Sequence, residues 1–228
     1  VISVATDGAL PDPTVAAIVS KARQEVAPVN NKLVGKTTVN LDHDREGQGS
    51  SLLGQWTTDR MQEATAADIA FQNAGGLRTG IPAGDITLGK LYEVLPFDNT
   101  LVTVEMTGAQ IMKVLQQGLS NPKLGMVQYS GLKVTWDSSL PADRKILGVT
   151  LPDGTPLAAD RSYKVVTNDF MAGGGDGFTM FREGKNMVDT YIPLRDILVD
   201  YLRENPLVSP SLDDRCIDIQ QAKLPLAA

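Results

Sequence analysis

The chain has 228 residues, 42% of them hydrophobic and 21% charged, with a formal net charge of −6. That is enough apolar material to fill the core of one large domain or two small ones. The acidic balance argues against nucleic acid or an anionic membrane as partner, and no apolar run approaches the ~20 residues that span a bilayer. Cys216 is the single cysteine, so no disulfide forms within the chain. The sequence opens at Val1 without a charged-then-apolar leader, which reads as a processed product or a piece of something longer.

In chain order, residues 1–30 read as an interdomain linker and a leading helix. Asp12-Pro13 supplies an N-cap and a first helical residue, and Val15, Ile18, Val19, Ala22 and Val26 follow at helical spacing up to Pro28. Lys32 to Leu41 reads as a strand. Ser50 or Ser51 caps a second helix holding Leu52, Leu53, Trp56 and Met61. Ala67 to Phe71 is a short buried strand that runs into the glycine turn Asn73-Ala74-Gly75-Gly76-Leu77-Arg78. Residues 81–85 form a loop, and Thr87 caps a short helix that ends at Pro96-Phe97-Asp98-Asn99. A strand over Thr100 to Met106 is followed by the capping box Thr107-Gly108-Ala109-Gln110 and a helix with Ile111, Val114, Leu115 and Leu119 inward. Period-two alternation begins at Val127, and Pro152-Asp153-Gly154-Thr155 signals a hairpin. The strand Tyr163 to Thr167 then enters Asn168-Asp169-Phe170-Met171-Ala172-Gly173-Gly174-Gly175-Asp176-Gly177-Phe178. Pro193 to Leu202 makes a last helix, and 206–228 reads as a loose tail. The pattern predicts an α+β (mixed α/β) fold, a single domain over 31–205 with a mixed sheet flanked by helices.

The chemistry-bearing inventory is sparse. His43 is the sole histidine and lies in a charged loop, where it reads as a surface residue; a zinc site with several imidazoles is not available. No Gly-x-Ser-x-Gly elbow or P-loop is present. Three turns carry binding-type groups instead: Asn73 and Arg78, Phe97 and Asn99, then Phe170 and Asp176 among glycines. Arginine offers a forked donor for phosphate, asparagine donates and accepts at once, a carboxylate can take two ribose hydroxyls, and two phenylalanines can clamp a flat ring. Each has a plainer alternative: Arg78 in a surface ion pair, the phenylalanines in the core, the asparagines as turn formers.

The motifs Asn73-Ala74-Gly75-Gly76-Leu77-Arg78, Pro96-Phe97-Asp98-Asn99 and Asn168 to Phe178 stand in the order and spacing of the 5′-nucleotidase C-terminal domain, which the chain resembles over roughly residues 30 to 205. Val34-Gly35-Lys36-Thr37 and Met106-Thr107-Gly108 are similar to stretches of the same family. The resemblance implies a nucleotide-recognition domain of a hydrolase, with Phe97 and Phe170 sandwiching the base, Asn73 at the base edge, Asp176 at the ribose and Arg78 at the phosphate; Asn99, Gly174 and Gly175, in the same turns, complete the set of candidate substrate-binding residues. Arg45 is the nearest match to a second phosphate-directed arginine, at a stretched spacing, and Ser50-Ser51 stands where the family often has Glu-Ser. The resemblance also implies that no cofactor belongs to this chain and that two divalent metal ions sit in a separate N-terminal metallophosphatase domain. It implies a periplasmic, extracellular or cell-surface location, and a chain that does not hydrolyse nucleotides alone. The alternatives are a stand-alone nucleotide-binding module, or specificity for UDP-sugars or 2′,3′-cyclic nucleotides.

Overall fold

The computed structural model describes residues 10, 12–44, 49–120 and 124–222. The first half runs α1 (Pro13–Asn30), β1 (Leu33–Thr37), α2 (Leu52–Thr65), β2 (Ile69–Gln72), β3 (Gly84–Thr87), α3 (Leu88–Val94), β4 (Thr100–Thr107) and α4 (Gly108–Ser120). The second runs β5 (Gln128–Ser130), β6 (Lys133–Trp136), β7 (Ile146–Thr150), β8 (Ser162–Asn168), α5 (Asp169–Ala172), β9 (Lys185–Pro193), α6 (Leu194–Glu204), β10 (Leu207–Val208), β11 (Cys216–Asp218) and α7 (Ile219–Ala222). The fold is mixed α/β, as expected.

A five-stranded sheet, ordered β5-β2-β8-β4-β9, organises the molecule. β2 and β8 are parallel, while β5, β4 and β9 join antiparallel to their neighbours. Its inner strands are buried on both faces because successive side chains point in opposite directions. Ala70, Val166 and Leu101 face a core shared with α2, α3 and α6. Ile69, Phe71, Val165, Val104 and Met106 face a second core, completed by α4. The expected caps form: Ser51 Oγ accepts from Gly54 N at 3.0 Å and Thr87 Oγ1 from Lys90 N at 3.2 Å. Thr107 and Gln110 bond reciprocally, Thr107 N to Gln110 Oε1 at 2.8 Å and Gln110 N to Thr107 Oγ1 at 3.3 Å.

Several expectations need correction. α1 does not stop before Pro28 but runs to Asn30, since a proline in the last turn removes one backbone bond without preventing two further residues from closing the helix. Its apolar stripe is not buried: α1 has no buried residue, and Val15, Ile18 and Val29 are exposed. The 127–136 alternation is two strands, β5 in the central sheet and β6 in a three-stranded sheet with β7 and β11, because the chain bends at Gly131. β3 lies partly in the segment expected as loop, and β9 has no sequence signal. β9 is an exposed strand with register shifts and two left-handed residues, Asn186 and Tyr191, so it shows no clean alternation.

The 206–228 segment is not a loose tail through residue 222. β10 pairs in parallel with β1, and β11 in parallel with β6. Between them Arg215 reaches Asp59 at 2.7 Å and Asp213 at 2.6 Å, and Asp213 N donates to Gln55 Oε1. Burial acts to lower the Arg215 pKa, but the two carboxylates outweigh it and hold the guanidinium above its ordinary value. For Asp213 burial acts upward and is outweighed by the bonds from Arg215, leaving the carboxyl below its ordinary value.

Candidate functional site

Strand direction brings the three turns together. Residues 73–78 leave the end of β2, and 169–178 leave the end of its parallel neighbour β8. Residues 95–99 precede β4, which runs antiparallel to β8 with Leu101 opposite Asn168, so they emerge at the same end of the sheet. Ligand crevices in such sheets lie outside the carboxyl ends of parallel strands. Here that end holds a cavity of about 510 Å³ lined by Asn73, Gly75, Gly76, Arg78, Phe97, Asn99, Leu124, Asp169, Phe170 and Asp176.

A layer of amides forms the floor. Asn168 caps α5 by accepting from Met171 N at 2.8 Å, and its Nδ2 donates to Gln72 Oε1 at 2.9 Å and Asn73 Oδ1 at 3.0 Å. Asn73 in turn donates from Nδ2 to Asp176 Oδ2 at 2.8 Å, across 103 positions of sequence. Gln117 Nε2 fixes the backbone of the same residue through Asp176 O at 3.0 Å. Asp176 is thereby held in a left-handed conformation (φ 53) with its carboxylate at the cavity wall. Asn73 is buried, and its side chain links the floor to the wall: Oδ1 accepts from Asn168 and from Gln72 Nε2 at 3.2 Å, while Nδ2 holds Asp176.

The rim is aromatic and partly charged. Phe97 and Phe170 are 52% and 47% exposed although both line the cavity, which removes the core alternative for them. The Phe170 ring lies against Gly175, where a Cβ would sit 2.5 Å from it. Gly174 takes φ 85, a conformation that suits glycine, beside the Arg182 guanidinium. Asn99 Nδ2 donates to Asp169 Oδ1 at 2.6 Å, tying the second turn to the third. Arg78 places its guanidinium 5.8 Å from the Phe97 ring centroid and donates from Nη1 to Gly75 O at 3.0 Å; it makes no surface ion pair among the described residues. The remaining donors of its fork are available at the cavity edge.

Of the residues singled out from sequence, Asn73, Arg78, Phe97, Asn99, Phe170 and Asp176 line this one cavity, and Gly174 and Gly175 shape its third turn. Arg45 lies outside the described residues. Ser51 acts as helix cap. His43 is not simply a surface residue: its Nδ1 is 2.7 Å from Ser51 Oγ and its Nε2 is 3.0 Å from Ala74 O, in the first turn. Asp169, Asn168 and Gln117 were missed. The first two sit inside the glycine-rich motif as polar neighbours of Phe170, and Gln117 carries no local signal because it acts across 59 positions. Among the described residues no three His, Cys, Asp or Glu side chains are grouped so as to hold a metal ion.

A mixed α/β domain with a loop-built cleft at one end of its central sheet, aromatic on the rim and amide-floored, is the class defined so far. The family model described as "5'-nucleotidase, C-terminal domain" matches residues 33–183, and the chain belongs to that family. It is 36% identical to the trifunctional nucleotide phosphoesterase protein YfkN of Bacillus subtilis, over 86% of this chain and 14% of that protein. It is 33% identical to the cell wall protein Lmo0130 of Listeria monocytogenes, over 87% of this chain and 28% of the other. The crystal structure of a 5′-nucleotidase precursor from Thermus thermophilus superposes with a TM-score of 0.85 at 35% identity, covering 93% of this chain and 44% of that one. The chain thus spans less than half the length of each of these relatives.

Proposed function

We propose that this domain, residues 31–205 completed by the strands at 207–222, recognises the nucleoside part of a nucleotide for a 5′-nucleotidase-type phosphoester hydrolase. The observation that carries the proposal is the convergence of Phe97, Phe170, Arg78, Asn99 and Asp176, from three separate turns, on one cavity. Two half-exposed rings at the mouth suit a base, whose stacking on an aromatic side chain is worth roughly 1–3 kcal/mol per base. Asp176, held by Asn73, accepts from the ribose hydroxyls through its carboxylate. Asn99 and the second N–H of Asn73 face the ligand's polar edge, and Arg78 takes the phosphate with the fork geometry that suits it. Gly174 and Gly175 let the third turn fold close enough to put Phe170 in place.

Hydrolysis belongs, in this proposal, to a metal-bearing domain N-terminal to this one, which supplies the activated water; the present residues bind and orient. The YfkN and 5′-nucleotidase names of relatives support phosphoester hydrolysis as the activity of the whole protein, and the cell-wall relative supports a location outside the cytoplasm. No helix among the described residues is long and apolar enough to cross a membrane. The experiment is calorimetric titration of the chain with AMP and UMP, paired with a phosphate-release assay in Mn²⁺. Binding of both without phosphate release is expected. Failure to bind either, or metal-dependent turnover abolished by Arg78→Ala, would contradict the proposal.

A further inference from the structure

Arg195 is a buried cation that the cleft does not touch. It lies in the first turn of α6, where a positive charge opposes the helix dipole, and it is only 6% exposed. An apolar side chain would be the easier occupant of such a position. What the guanidinium does there is specific. Nη1 donates to Leu95 O, Nη2 donates to Asp98 Oδ1 at 2.7 Å, and the group lies 3.7 Å from the ring centroid of Tyr92. Its two bonds therefore bracket the four-residue turn Leu95-Pro96-Phe97-Asp98 at both ends. The neighbouring main chain extends the grip, since Leu194 N donates to Asn99 O at 2.9 Å.

We infer that Arg195 is a positioning residue for ligand stacking: it clamps the ends of the turn that presents Phe97, so that the exposed ring keeps its place on the cleft rim in the absence of ligand. The inference rests on the reading of Phe97 as a base-stacking ring. Phe97 is half exposed, and Arg78, at 5.8 Å, is the cation beside it. Without the clamp, ligand binding would have to order the turn as well, a cost that lowers affinity. The planar fork matters because it spans a carbonyl and a carboxylate at once, which an ammonium does not reproduce.

The test uses AMP titration of the chain with Phe97→Ala, Asp98→Ala, Arg195→Lys and the combinations with Phe97→Ala, each with a thermal melt. The Asp98 side chain is 90% exposed, so Asp98→Ala remains foldable if Arg195→Lys does not. We expect Asp98→Ala to weaken AMP binding ~3-fold and Arg195→Lys ~5-fold or more, and neither to weaken it further once Phe97 is alanine, because coupled sites are non-additive. Equal losses with and without the Phe97 ring would overturn the inference and leave Arg195 a purely structural residue. Unchanged affinity in Asp98→Ala and Arg195→Lys, with Phe97→Ala weakened, would overturn it while leaving the stacking role intact. Unchanged affinity in Phe97→Ala itself would remove the stacking role and the inference together.

Discussion

Phe71, Phe178 and Phe181 lie in the core beneath the central sheet, where Phe181 meets Phe71 at 6.2 Å and Phe178 at 6.3 Å between ring centroids. Phe97 and Phe170, the other two phenylalanines of the chain, stand at the cleft mouth with about half their surface open to solvent. Phe170 and Phe178 are the more instructive pair, because they flank the same glycine stretch. Phe170 belongs to the short helix α5 after β8 and turns outward over Gly175, whereas Phe178 follows the left-handed Gly177 and turns back into the core. Nearness to a glycine turn therefore does not by itself make a ring a binding residue. What separates the two regions is whether apolar neighbours close over the ring: they do around Phe178 and do not around Phe170.

The largest effect belongs to the core. Phe181→Ala should cost ~3–5 kcal/mol of stability by leaving a cavity among fully buried neighbours, read as a shift in the denaturant midpoint. A shift of less than ~1 kcal/mol would erase the contrast with the rim. Next come two adjacent glycines of the third turn, Gly174 beside Arg182 and Gly175 under Phe170, which should separate stability from binding. Gly174→Ala forces a Cβ onto φ 85 and should destabilise by ~1 kcal/mol or more. Gly175→Ala would put its Cβ into the Phe170 ring and push the ring aside, so nucleotide affinity should fall more than the melting temperature. Equal behaviour of the two variants in both measurements would contradict this division.

The smallest effect lies away from the cleft, at the clamp on the C-terminal strands. The Asp213 carboxyl is held below its ordinary value, so its contribution is complete above the unfolded carboxylate range and is lost as pH falls through the folded value. In that window the unfolded chain binds more protons, and stability drops with pH. Because Asp213 is half exposed the contribution is at most ~1 kcal/mol. Asp213→Asn should accordingly flatten the stability profile below about pH 4 and leave AMP affinity at neutral pH unchanged. An unchanged profile would remove the clamp from the account.

Much of this is legible in the sequence alone. Caps at Ser51, Thr87 and Thr107 are local, each joining a residue to the one three positions on, so a four-residue stretch of sequence suffices to place them. The cleft residues are legible because each sits on a turn with its own glycine, proline or asparagine signature. What escapes depends on distance in sequence. Arg195 reads as an ordinary polar position of an amphipathic helix, yet acts on a turn 97 positions away through Asp98. The C-terminal strands read as loose because β10 has two residues and β11 three, too few to show alternation. α1 misleads in the opposite sense: helical periodicity announces an apolar face correctly but says nothing about what lies against it.

The most direct measurement is titration of adenosine and uridine into the unmodified chain and into Phe97→Ala and Phe170→Ala, with a thermal melt of each. If the two rings hold a base, both nucleosides should bind about tenfold or more weakly to each variant, at ~1.4 kcal/mol per decade, since stacking tolerates either base. Both variants should melt close to the unmodified chain, because each ring is half exposed. Unchanged affinities would contradict the account, and unchanged affinities together with a collapsed melting temperature would return both rings to the core.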